Sequence, residues 1–236
     1  MIPVHTIDEF VKRIRGAGGA NVESVILFGS AVAGDFHPER SNLNMFCVLR
    51  DASFDSLRAL TPVTRWWDRQ KQPPPLCMTR EELERSTDVF PIELLDMQQH
   101  HRVLFGDDPL LELTIPMNLH RVQVEYELRE KLILLRQHVM MASESEGRLA
   151  EVLLRSVSSF STLFRHALIA LGEATPGNKR EAIKSLERRL DLDFSAALQV
   201  LDARERKADL KSTNLRDLAA RYLHAISSVA AAVDAA

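Results

Sequence analysis

Apolar residues recur at helical spacing from the start of the chain. Ile7, Phe10, Val11 and Ile14 share one face, Thr6 with Glu9 has the form of a capping box, and Gly16 with Gly18-Gly19 closes the run. Val25–Phe28 is short, apolar and β-branched at its start, which predicts a buried strand ended by Gly29-Ser30. The stretch from Gly34 to Ser41 carries Gly, Asp, Pro and Ser and reads as loop, and Leu43–Leu49 reads as a second strand. Phe54–Gln70 predicts a helix kinked near Pro62. Pro73-Pro74-Pro75 leads stiffly into a third strand, Leu76–Thr79, and Thr79 with Glu82 caps a short helix to about Ser86. Phe90–Met97 reads as a fourth strand or as the start of a helix running to Leu104, and Pro91, which suits a helix first turn, favours the helix; Gly106-Asp107-Asp108-Pro109 then punctuates the chain.

Beyond Pro116 the pattern is helical throughout. Leu128, Leu132, Leu135 and Val139 mark one long amphipathic helix, and Leu149 to Leu168 mark a second, spanning about Gly147–Leu171 and stopped by Gly172. Asn178 with Glu181 caps a third. Asp193 caps a fourth carrying Phe194, Leu198 and Leu201, and Asn214 with Asp217 opens a fifth through Tyr222, Ile226 and Val233. The expected fold class is therefore α+β, a mixed sheet with flanking helices over about 1–114, followed by an up-and-down helical bundle over about 115–236. The apolar faces Leu128–Val139 and Ile226–Val233 are long enough to suit a homodimer contact.

Composition narrows the function classes. The chain has 236 residues, and its apolar and charged fractions are those of an ordinary globular protein. A net charge of -3 lacks the basic footprint of a bulk nucleic-acid binder. No apolar run approaches the ~20 residues of a membrane span, and MIPVHTIDEF is unlike a secretory leader, so the expected location is cytoplasmic. Cys47 and Cys77 sit in apolar runs and read as free thiols.

One stretch looks like chemistry. Strand alternation puts Asn42, Asn44 and Phe46 on one side of the second strand and Leu43, Met45 and Cys47 on the other. The two amides then face one way, about 7 Å apart, towards the Gly29-Ser30 turn. Glycine admits close approach of a phosphate to backbone, and serine adds a hydroxyl donor. Carboxylates at 42 and 44 would hold Mg²⁺ against a triphosphate.

The order apolar strand, Gly29-Ser30, loop with Gly34, Ser41, then Asn42-Leu43-Asn44-Met45 resembles the nucleotidyltransferase superfamily that includes DNA polymerase beta and kanamycin nucleotidyltransferase. The run PIELLDMQQHHRVLFGDDP with a bundle after it also resembles bacterial proteins that join this fold to a helical C-terminal domain. The resemblance implies a nucleotide partner, ATP with Mg²⁺ as cofactors of an active member, and nucleotide contacts at Gly29, Ser30, Gly34 and Ser41. It also implies a carboxylate pair where this chain has Asn42 and Asn44, and a third acid from the strand aligned at Leu76–Thr79, where this chain offers Cys77. No catalytic set is intact, and no metal site is expected. Three readings follow: a catalytically degenerate member that keeps weak nucleotide binding or a partner role; an active Mg²⁺-dependent transferase using displaced acids at Asp35, Glu93 or Asp96; or a structural, oligomerising module with a closed pocket.

Other polar and aromatic residues have bland readings. His100-His101 and His166 are expected on solvated helix surface, Trp66-Trp67 as core plus lid, and Arg204–Lys211 as a solvated helix end.

Overall fold

The structure, a computed structural model, describes residues 4–33, 41–174, 177–210 and 213–236. Their contacts divide the chain into two compact units, Met1–Pro116 and Met117–Ala236.

The first unit is built on four strands: β1 (Val22–Phe28), β2 (Asn44–Leu49), β3 (Leu76–Thr79) and β4 (His101–Phe105), in the spatial order β3-β2-β1-β4. β1 runs antiparallel to both β2 and β4, whereas β2 and β3 are parallel, so the sheet is mixed. Helices cover both faces, which is why the central strands are apolar on both sides rather than alternating. On one face Val25, Leu27, Met45, Cys47 and Leu49 meet Ile7, Phe10 and Ile14 of α1 (Val4–Gly18), together with Val63 and Trp67. On the other, Ile26, Phe46 and Val48 meet Leu83, Leu94, Met97 and Leu110.

Several boundaries differ from the sequence expectation. α1 begins at Val4, so Thr6 lies inside it rather than capping it. β1 starts at Val22, since Val22 and Ser24 pair with Leu49 and Val48 of β2; the buried Ser24 hydroxyl donates to the Asp107 carbonyl at 2.7 Å. The expected kinked helix is two helices, α3 (Phe54–Ala59) and α4 (Thr61–Arg69), parted at Leu60, with Pro62 in the first turn of α4. The short α2 (Ser30–Ala33) follows Gly29 directly. α5 (Arg80–Arg85) carries the full Thr79/Glu82 capping box.

The largest correction concerns the expected helix to Leu104. α6 (Pro91–Gln99) ends at Gln99, and residues 101–105 form β4 instead. The free side of β1 offers a row of unpaired backbone groups, and pairing them outweighs the local helical pattern. Gly106 makes the exit from β4. Its φ is +78°, and a Cβ there would fall 1.9 Å from the Glu23 carbonyl oxygen.

The second unit contains α7 (His120–Ala142), α8 (Glu146–Ala170), α9 (Lys179–Leu190), α10 (Ser195–Arg204) and α11 (Leu215–Asp234). α8 is the central helix and packs against the other four. Asn178 and Asn214 cap α9 and α11 by accepting from the backbone N–H groups of Glu181 and Asp217. Asp193 accepts from Ser195 N at 2.8 Å as α10 begins. Leu128, Leu132, Leu135, Ile226, Val229 and Val233 are buried within this unit. The apolar faces expected to suit a dimer contact are thus its own core. Among the described residues, no helix is long and apolar enough to cross a membrane.

His166 also departs from expectation. It is buried, as is His120, and the two rings meet with His120 Nε2 3.0 Å from His166 Nδ1. Burial and the neighbouring imidazole together push the His120 pKa down from 6.5 to about 4. Trp67 is core against Phe10, while half-buried Trp66 lies under the Arg13 guanidinium. Arg204 donates to the Leu154 carbonyl at 2.7 Å, so the expected solvated end of α10 is anchored at its first basic residue.

Candidate functional site

The candidate site gathers where β1 ends. Gly29 has φ +78°, a left-handed conformation that an L side chain tolerates poorly. Its carbonyl accepts from Val32 N at 2.9 Å and Ala33 N at 3.0 Å, which starts α2 and places Ser30 in its first position. Its N–H donates to the His100 carbonyl at 2.9 Å, and His100 N donates to the Asp96 carbonyl at 3.0 Å. The end of α6 is therefore tied by backbone to the Gly29 turn.

Asn44 stands against the same turn. It opens β2 opposite Phe28, and a Cβ on Gly29 would lie 3.1 Å from Asn44 Nδ2. A Cβ at position 29 would press on the amide, which would have to give by a few tenths of an ångström. Asn44 is half-buried and Asn42 exposed. Leu43, Met45 and Cys47 all enter the cluster under α1 and α4, so alternation carries Asn42 and Asn44 to the opposite face, the side of Phe46. The Gln72 amide oxygen accepts from Leu43 N at 2.7 Å and fixes the backbone between the two asparagines. Ser41 is half-buried just before them; Gly34 and Asp35 lie outside the described residues.

Cys77 does not join this group. It is in register with Cys47 and packs into the cluster under α1 and α4, on the face away from Asn44. The β3 residues that share the Asn44 face are Leu76 and Met78, in register with Phe46 and Val48. The strand aligned with the family's third carboxylate thus brings no acid to the site. Of the displaced acids, Glu93 is exposed and Asp96 half-buried, both on α6. Asp96 sits on the turn of α6 that is tied to Gly29; Leu94 and Met97 of the same helix pack beneath Phe46.

One pair at this end of the sheet escaped the sequence reading. His101 is in register with Phe28, which is in register with Asn44, so all three lie in one row across the sheet. Its Nε2 is 2.8 Å from Asp108 Oδ2 and its Nδ1 is 3.1 Å from the Gln98 carbonyl. Asp108 also accepts from Leu110 N at 3.1 Å. The available signal was Asp108 placed just beyond the Gly106 turn, which only a strand at 101–105 would bring back to His101.

No protein-family profile matches the chain, and no curated protein does. Solved structures do match it. One is a spectinomycin adenyltransferase from Enterococcus faecialis, crystallised with ATP and spectinomycin. At 14% sequence identity it superposes with a TM-score of 0.57, covering 94% of this chain and 99% of that one. This protein has the nucleotidyltransferase fold. At that identity the likeness speaks to the fold alone, and it extends over both units.

Within a nucleotidyltransferase fold, the Gly-Ser turn and the strand beside it would face the nucleotide phosphates and their metal. The donor set here does not fit Mg²⁺, which takes hard anionic oxygens in near-octahedral geometry. Asn42 and Asn44 each offer one neutral amide oxygen, and β3 adds none. Among the described residues no three of His, Cys, Asp and Glu come together as a metal site. What the site retains is a glycine turn with a hydroxyl beside it and two amides, all neutral.

Proposed function

We propose that this protein is a nucleotidyltransferase-fold protein that does not carry out metal-dependent nucleotidyl transfer, and whose remaining role is weak, metal-independent nucleotide binding or the binding of a partner. The observation that carries the reading is the pairing of Asn44 with the Gly29 turn while β3 presents Leu76 and Met78. Nucleotidyl transfer depends mainly on positioning and on neutralising charge that develops on the phosphoryl oxygens. Replacing an anionic metal cradle with two amides withdraws several kcal/mol of that stabilisation, about a thousandfold or more in rate. The nucleotide part of the proposal draws support from the solved neighbour, which was crystallised with ATP.

Calorimetric titration with ATP, with and without Mg²⁺, tests this. Weak binding that is indifferent to Mg²⁺ is the expected outcome. Tight binding that requires Mg²⁺, or Mg²⁺-dependent transfer of label from ATP to any acceptor, overturns it.

A second reading has one observation in its favour. Asp96 lies on the helix turn bonded through His100 to Gly29, so an acid stands on an element fixed to the site. If Asp96 supplies a metal ligand, Asp96→Asn abolishes Mg²⁺-dependent ATP binding and leaves the fold intact.

A further inference from the structure

Two cysteines make up the whole thiol content of the chain, and the sheet sets them side by side. Cys47 of β2 is in register with Cys77 of β3, two parallel strands. In-register neighbours lie about 4.8 Å apart and point to the same face, within the Cα separation that a disulfide spans. Both cysteines pack into the cluster under α1 and α4, on the face away from Asn44. Cys47 is fully buried, whereas Cys77 is half-buried on β3, an outer strand of the sheet.

The two thiols sit in unlike surroundings, and Cys77 Sγ donates to the Pro75 carbonyl at 3.8 Å. Interaction with the neighbouring thiol lowers the Cys77 pKa, whereas the same neighbour and then burial push that of Cys47 well up. The more accessible sulfur is thus the better nucleophile, and the buried one holds its proton. That division suits a pair in which one sulfur meets an oxidant and the other resolves the product.

We infer that Cys47 and Cys77 form a two-cysteine redox site, in which a hydroperoxide oxidises Cys77 and Cys47 closes an intrachain disulfide that clips β3 to β2. In the first step the Cys77 thiolate attacks a peroxide oxygen. An S–O bond forms as the O–O bond breaks, the sulfur loses two electrons to the peroxide, and hydroxide leaves from hydrogen peroxide or alkoxide from an organic hydroperoxide. In the second, the Cys47 sulfur attacks the Cys77 sulfenic acid. The S–S bond forms as S–O breaks, and the departing hydroxide takes the Cys47 proton as water. A low-molecular-weight thiol reverses the reaction by two exchanges at the disulfide. The clip falls on the strand that carries Asn44, so the redox state of the pair bears on the rigidity of β2.

The test treats the full chain with hydrogen peroxide, alkylates it under denaturing conditions and weighs it intact. The expected result is loss of both alkylatable thiols, a mass lower by two hydrogens, a monomeric band without reductant, and full recovery after dithiothreitol. In Cys47→Ala, Cys77 should instead gain one oxygen and be trapped by a sulfenic-acid reagent, whereas Cys77→Ala should leave Cys47 alkylatable. The inference fails if the wild-type chain keeps two alkylatable thiols under peroxide. It fails equally if Cys77 gains oxygen while Cys47 stays free, or if the disulfide joins two chains.

Discussion

The buried imidazole pair of the second unit ties its stability to pH in a calculable way. His120 is 2% exposed, has its Nε2 3.0 Å from His166 Nδ1, and carries a pKa lowered from 6.5 to about 4, first by burial and then by the neighbouring ring. The buried Arg165 precedes His166 on α8 and adds a further positive charge to that region. The folded protein therefore holds His120 neutral, while the unfolded chain takes up a proton as pH falls below 6.5. Its contribution is fully present above pH 6.5 and is lost progressively down to about pH 4. At about 1.36 kcal/mol per pKa unit, going from about pH 7.5 to about pH 5 removes roughly 2 kcal/mol, and the full span roughly 3. The two units can be followed separately, because both tryptophans, Trp66 and Trp67, lie in the first and both tyrosines, Tyr126 and Tyr222, in the second. Urea unfolding monitored by tyrosine near-UV circular dichroism at the two pH values gives the slope, and His120→Gln gives its control. Carboxylates titrate alike in both proteins and cancel in the difference. The wild type should lose about 2 kcal/mol more than the variant over that interval. Equal losses would refute the account, as would a pH effect confined to the tryptophan signal.

Three further perturbations probe the first unit. Gly106→Ala drives a Cβ to 1.9 Å from the Glu23 carbonyl oxygen at a φ of +78°, so β4 must part from β1; a loss of about 3 kcal/mol or more is expected in tryptophan-monitored unfolding. Gly29→Ala meets the same φ but only the Asn44 amide, at 3.1 Å. It should cost about 1–2 kcal/mol and weaken whatever ATP affinity calorimetry finds in the wild type. Asn42→Asp with Asn44→Asp places two anions about 7 Å apart on one face. The double variant should melt lower than wild type without divalent ions and gain stability on adding Mg²⁺, whereas the wild type should ignore Mg²⁺.

What could be read in advance was whatever is decided locally. Thr79 with Glu82, Asn178 and Asn214 satisfy helix N–H groups within a few residues of themselves, so those starts were visible from spacing alone. The Gly29 turn and the facing of Asn44 were visible for the same reason, since alternation is a property of one strand. β4 was not, because HRVLF carries no strand pattern strong enough to break a helix opened by Pro91; the unpaired side of β1 does that. Cys77 differs from the expectation because the span of β3 is legible in the sequence and its register to β2 is not. A strand of four residues says which side chains share a face, and only its pairing with Phe46 and Cys47 says which face that is. His120 and His166 are 46 residues apart, and nothing near either one announces the other.

The frame around the candidate site is held by interactions that do not involve the two amides. The Gly29 turn is fixed by its own φ, by α2 and by the His100 carbonyl. Leu43 is fixed by Gln72, and β2 by apolar residues on both of its faces. Among the described residues neither the Asn42 nor the Asn44 side chain supplies a hydrogen bond to this framework, so the turn does not depend on their amides. That independence is what lets a nucleotidyltransferase fold stand without the charges that hold a metal. It also means that restoring carboxylates tests the chemistry without retesting the fold. A double variant that folds and still ignores Mg²⁺ would place the deficit beyond the pair, at β3, where Leu76 and Met78 occupy the face that an acid would need.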